Sequence, residues 1–184
     1  MSLKDEYLSY VREARVEHKK WVNHVRLIVS GLENDKEKIV LNAADSPFGK
    51  WLYSKAMAYN ISNSTLVLSE IEQLFDACYN EYHKIYALLF KSQNGGLIGS
   101  LFGGGKASGS DYKIASQCYE AMLEKSDMLL SKLRVFESQL TATSNEKFED
   151  ALKGAFAQNT AETKSVQENK PKEQRYYRGS LIED

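Results

Sequence analysis

The sequence predicts an all-α fold, an antiparallel four-helix bundle, and three observations carry that reading. Apolar residues recur in alternating steps of three and four along three long segments and one shorter one, the a/d rhythm of helices packed side by side. Only 2 Pro occur in 184 residues, too few for a turn-dense all-β chain. The links between the first three segments are short, which favours antiparallel neighbours. A long Gly-rich link joins the third to the fourth.

The first helix is expected over about residues 3–32, with the seam Tyr7, Val11, Ala14, His18, Trp21, Val25, Ile28 and Leu32. Gly31 is its stop signal, and the charged stretch from Glu33 to Lys38 reads as a solvated loop. A second helix starts at Ser46-Pro47, a good N-cap followed by the residue best tolerated at the first helical position. It runs through Phe48, Trp51, Leu52 and Tyr59 to about Asn60. Gly49, one turn in, costs about 1 kcal/mol of helix propensity, so its presence implies close packing against a neighbour.

Asn60 to Ser64 reads as a turn. The third helix spans about 65–92, with the seam Leu68, Ile71, Phe75, Cys78, Tyr82, Ile85 and Leu89. The fourth spans about 111–142, capped by Asp111 or Ser110, with the seam Ala115, Tyr119, Met122, Ser126, Leu129, Leu133, Phe136 and Leu140. The bundle thus occupies residues 1–143. Ser144 would cap a short helix over 144–157 bearing Phe148, Leu152, Ala155 and Phe156. Residues 158–184 read as a flexible tail, polar to Glu173. Its last segment, around Tyr176-Tyr177-Arg178, would serve as a docking peptide or stay disordered.

Composition narrows the function classes. A formal net charge of -1 gives no field for nucleic acid. No apolar run reaches the roughly 20 residues of a membrane helix. The charged N-terminus has no apolar signal-peptide core, and Cys78 and Cys118 make no disulfide framework. A cytoplasmic location fits all three. No nucleophile elbow, His-Glu-x-x-His or Rossmann glycine pattern is present, so no enzyme is expected.

The Gly-rich link from Asn94 to Ser110 carries Leu97, Ile98, Leu101 and Phe102. Its hydrophobes either tuck against the bundle end or contact a partner or membrane through residues 97–102. It is not a phosphate loop, because Ser100 and Ala107 stand where that motif needs Gly and Ser or Thr.

The residue out of place is His18, an imidazole in the middle of an apolar seam. Buried, it needs a hydrogen bond or a metal. Tyr79 and His83 share one face of the third helix. Antiparallel packing of the first and third helices would bring His18 and His83 together, the start of a metal site. His24 falls on a different face.

The segments His18-x-x-Trp21, Phe48-Gly49-Lys50-Trp51-Leu52-Tyr53 and Tyr79-Asn80-Glu81-Tyr82-His83 resemble the chemoreceptor zinc-binding domain, CZB, over about residues 10–140. That family is a four-helix bundle in bacterial chemoreceptors, in diguanylate cyclases and as a free-standing protein. Its zinc is held by a His before x-x-Trp, a Cys opening the second helix and a His-x-x-x-His pair on the third. Carried over by position, His18 is the first ligand and His83 the last. Ser46 stands at the cysteine and Tyr79 at the first histidine of the pair, and the spacing between them is a few residues longer than the family's. Two of the four ligands are therefore replaced.

Three states of the site follow. One is a metal-free polar network of His18, Ser46, Tyr79 and His83, residues that all donate or accept. Another is a remodelled metal site on His18 and His83, completed by Ser46, Tyr79 or Asp45, with zinc as the implied ion. The last is a small-molecule or purely structural pocket. The resemblance implies a non-enzymatic sensory or regulatory module with a degenerate metal site, acting on a signalling protein in chemotaxis or cyclic-dinucleotide pathways, with a homodimer in keeping with the family. The alternative is a protein- or membrane-interaction module working through the Gly-rich loop and tail. A metal-binding protein with a remodelled His site is a third reading.

Overall fold

The computed structural model describes residues 2–33, 40–56, 64–90, 107–154, 176–177 and 180–181. The chain is all-α there, apart from one ladder of two-residue strands. Helix α1 is Leu3–Val29. A 3-10 turn, Ala43–Asp45, leads into α2, Pro47–Trp51, which widens into a π turn, Leu52–Ala56. Helix α3 is Thr65–Leu89, α4 is Gly109–Ala142 and α5 covers 145–154. Strands β1, Tyr176–Tyr177, and β2, Ser180–Leu181, pair antiparallel within the stretch expected to be a flexible tail. Among the described residues no helix is long and apolar enough to cross a membrane.

Local chemistry sets the helix ends. Ser2 and Asp5 form a reciprocal capping box at α1, and the hydrogen bonds from Ser2 hold the Asp5 carboxyl below its ordinary pKa. Gly31 ends that helix in the left-handed region at φ 71°. The chain turns away there, so Leu32 is 77% exposed and not part of the core. At α4 the cap is Ser108, not Ser110 or Asp111; Asp111 is the partner that closes the box from the third position.

Register follows from cross-helix pairs. Lys4 Nζ donates to the Thr141 and Thr143 carbonyls at 2.9 and 2.6 Å, which satisfies acceptors that the end of α4 leaves open. Arg12 and Arg15 meet Glu137 at 2.6 and 3.0 Å. Helix α1 therefore runs antiparallel to α4. Glu70 pairs with Lys132 at 2.7 Å, and Glu81 with Lys125 at 3.4 Å, so α3 is antiparallel to α4 as well. Two helices antiparallel to the same third helix are parallel to each other. That corrects the expected antiparallel relation of the first and third helices.

The seams of α3 and α4 are buried as their periodicity demands, except that Tyr119 is only half-buried. In α1 the core face drifts by one position at two places. Leu8 and Val22 are buried, while Tyr7 and Trp21 are half-buried against them. An ideal helix turns every 3.6 residues, so a strict heptad reading slides off the true face.

Helix α2 is held by Ser46, whose Oγ accepts from Gly49 N at 3.0 Å and donates to the Ala43 carbonyl at 2.7 Å. A Cβ on Gly49 would stand 2.0 Å from that carbonyl, so the 3-10 turn and α2 approach as closely as a glycine allows. The α-helical part gives way to the π turn after Trp51, and the remainder of the expected second helix, 57–60, lies outside the described residues. The π turn that follows buries Leu52 and Ala56 together, and Tyr7 Oη donates to the Lys55 carbonyl at 2.7 Å. Beyond Thr143, Ser144 Oγ accepts from Lys147 N at 3.3 Å to start α5. Phe148 then packs edge-on against Tyr7, with ring centroids 5.3 Å apart.

The turn at 60–63, the Gly-rich link with Leu97, Ile98, Leu101 and Phe102, and the polar stretch from 158 to 173 lie outside the described residues.

Candidate functional site

Helices α1, α2 and α3 converge on a cavity of about 50 Å³ whose wall includes His18, Trp21, Ser46, Phe48 and Phe75. His18 is fully buried. Its ring packs on Phe48, Trp21 and Phe75 at centroid distances of 5.2, 5.7 and 6.4 Å. Burial among these rings lowers its pKa from 6.5 to about 4, because an imidazolium there would be stripped of water. Nε2 lies 2.9 Å from Ser126 Oγ on α4, and Nδ1 has no hydrogen-bond partner among the described residues.

Trp21 carries the site on towards α3. Its indole stacks on Tyr79 at 4.7 Å and 9°, and Tyr79 meets His83 edge-on at 6.0 Å. The two imidazoles expected to face each other are thus linked through intervening rings, Trp21 with Tyr79 and Tyr82. His83 is exposed, and its Nε2 donates to the Leu41 carbonyl at 2.7 Å, which clasps the segment before the 3-10 turn onto α3. His18 turns to Ser126 and His83 to Leu41, with the Trp21 and Tyr79 rings between them.

Ser46 sits beside Tyr79. Burial raises the pKa of the Tyr79 phenol, the Ser46 hydroxyl opposes that rise and the Asp45 charge adds to it. Ser46 nevertheless spends its hydrogen on Ala43, and Tyr79 Oη has no hydrogen-bond partner among the described residues. Asp45 is exposed and accepts from Asn42 Nδ2 at 2.8 Å. His18, Ser46, Tyr79 and His83 therefore do not form a single hydrogen-bonded network.

The same contacts test the fit to zinc, which wants four converging donors. Ser46 is committed to the α2 cap, His83 to Leu41 and Asp45 to Asn42. Burial further disfavours the phenolate that Tyr79 would need as a ligand. Among the described residues no group of three or more His, Cys, Asp or Glu is gathered as a metal would require. The donor set in this arrangement does not fit the ion. Cys78 offers no substitute. Burial pushes its thiol up to about 12, and Sγ points to the Met122 carbonyl, 3.8 Å away.

Sequence reasoning named Ser126 only as a seam residue and missed it as the partner of His18. The signal was present: α1 and α4 each have one strongly polar residue inside an apolar seam, an imidazole and a hydroxyl able to satisfy each other. No protein-family model matches this chain, and no match was found among curated proteins or solved structures.

Proposed function

We propose that this chain is a CZB-like antiparallel four-helix module that regulates a signalling partner without catalysis of its own, and that its zinc site has given way to a buried polar and aromatic pocket. One observation carries the reading. Three of the four positions that the resemblance assigns to ligands, His18, Ser46 and Tyr79, lie around Trp21, which supports the reading, while His83 turns away to Leu41. Such convergence is what a ligand shell inherited by the scaffold requires. The replacement of a thiolate by Ser46 and of an imidazole by Tyr79 leaves hydroxyls that bind zinc poorly at neutral pH. The parallel pair α1 and α3, each antiparallel to α4, suits the diagonal positions of an up-down-up-down bundle, with α2 as the short remaining helix.

The test is a gain of function. The double variant Ser46→Cys/Tyr79→His should bind about one zinc per chain, read by elemental analysis of protein purified without chelator. Cobalt substitution should give the visible bands of a tetrahedral sulfur-containing site, and adding His18→Ala should abolish both. A double variant that keeps its helical circular dichroism yet takes up no more zinc than the unmodified chain would refute the proposed ancestry of the site.

A further inference from the structure

Helices α1 and α4 frame a surface groove of about 290 Å³. Val22, Leu123 and Leu130 give its lining an apolar part, beside the polar Asn23, Tyr119 and Ser126. Lys19 and Arg26 line it from α1, seven residues apart and so on one face of the helix. Neither has a carboxylate within ion-pairing distance among the described residues, whereas Lys20, Arg12 and Arg15 on the same helix do. The Arg26 charge is felt at Tyr119, across the groove. Asp127 is the acidic residue in the lining, which leaves one net positive charge beside the apolar side chains.

One lining residue reaches the core. Ser126 is 3% exposed, borders this groove and is hydrogen-bonded to His18. We propose that the groove binds a small organic anion with an apolar body, a carboxylate on an aromatic or branched frame, and that its occupancy is passed to His18 through Ser126. Lys19 and Arg26 attract the carboxylate, and Val22, Leu123 and Leu130 cover the apolar body. This assignment rests on the groove and not on the zinc-family reading.

The transmission step is a matter of hydrogen-bond arithmetic. A serine hydroxyl has one hydrogen to give. With Nδ1 unpartnered, neutral His18 meets Ser126 in one of two ways: Ser126 donates to Nε2, or Nε2–H donates to Oγ. An anion in the groove accepts only, so it claims the hydroxyl hydrogen. Ser126 must then accept from His18, which fixes the imidazole in the Nε2–H form. In a molecule that begins as the Nδ1–H tautomer, a proton leaves Nδ1 and one arrives at Nε2, with no net uptake. Trp21, 5.7 Å from the imidazole, lies within range to report the change.

Benzoate serves as the probe and benzyl alcohol as its uncharged analogue. Calorimetric titration and amide chemical-shift mapping of the full chain should show saturable benzoate binding centred on Asn23, Tyr119 and Leu123. Binding should weaken about tenfold for benzyl alcohol and by a similar factor for Lys19→Gln/Arg26→Gln, the scale of two exposed charge contacts. Both substituted residues are exposed, so the variant should keep its fold. Histidine nitrogen shifts in the benzoate-saturated protein should place the His18 proton on Nε2. Absence of saturable binding, equal affinity for the two probes, or equal affinity in the charge variant would overturn the site. An Nδ1–H imidazole at saturation would overturn the link through Ser126.

Discussion

Lowering the pH from about 7 to about 5 should destabilise this protein through a single side chain, and the size of that effect can be worked out from where His18 sits. The folded protein holds the imidazole at a pKa of about 4, against 6.5 for the free group, because Phe48, Phe75 and Trp21 replace water around it. Glu17 borders the same cavity, but its carboxylate is paired with Lys20 at 2.6 Å. Between these two values the unfolded chain binds a proton that the folded chain refuses. Stability from His18 is therefore fully present above about pH 6.5 and drains away as pH falls towards 4. Integrating the linkage between about pH 7 and about pH 5 gives a loss of about 2 kcal/mol. Carboxylates add their own pH dependence, so the contrast is made with His18→Gln, which keeps a neutral hydrogen-bonding side chain and does not titrate. Urea unfolding followed by circular dichroism at both pH values should show the unmodified protein losing about 2 kcal/mol more than the variant. Parallel losses in the two proteins would mean that His18 is solvated or charged in the folded state, and the account of the pocket given above would fail.

Four further outcomes follow from the same contacts. Ser126→Ala leaves Nε2 of a buried imidazole without its partner and should cost about 1–3 kcal/mol in the same urea assay; a change below a few tenths would deny the bond its importance. The double variant His18→Leu/Ser126→Ala removes both polar groups at once, and should recover most of that loss or exceed the starting stability. Gly49→Ala drives a Cβ to 2.0 Å from the Ala43 carbonyl and should lower the melting temperature by the equivalent of about 1–3 kcal/mol, whereas an unchanged melt would show that the 3-10 turn yields freely. A thiol reagent at neutral pH should modify one cysteine, Cys118, in the native chain and both in denaturant, since Cys78 is buried as a thiol with its pKa pushed up to about 12; fast double labelling of native protein would contradict that.

Legibility in the sequence tracked how local each determinant is. The seams of α3 and α4 were readable because every third or fourth residue is apolar and the helices are long enough for the pattern to outweigh single exceptions. The cap at Ser46, the glycine approach at Gly49 and the stop at Gly31 were readable because each depends on a few consecutive residues. Leu32 was misplaced because the left-handed turn at Gly31 reverses the direction of the chain, which periodicity ignores. The π turn after Trp51 was invisible, since its cause is tertiary: it lets Leu52 and Ala56 reach the core together, and a carbonyl takes the Tyr7 hydroxyl. At the site, the pattern singled out His18, Ser46, Tyr79 and His83, but not how they pair. The relative direction of α1 and α3 is set by their shared neighbour α4. It puts His18 level with the stretch around Glu81, and the Trp21–Tyr79 stack then stands between His18 and His83, which bond to Ser126 and Leu41 instead.

The pairing of His18 with Ser126 bears on why the site persists at all. A buried hydrogen bond between two side chains adds little to stability compared with two well-packed apolar residues, while losing one partner is costly. Six of the eight predicted seam positions in α4 carry no hydrogen-bonding side chain, Tyr119 and Ser126 being the exceptions, and of these two only Ser126 is buried. The His18–Ser126 bond is a rung that joins the two sites directly, since His18 lines the aromatic cavity and Ser126 the cationic groove. A rung placed for stability alone could lie anywhere along the seam. One placed to couple a surface groove to a buried pocket has to lie here.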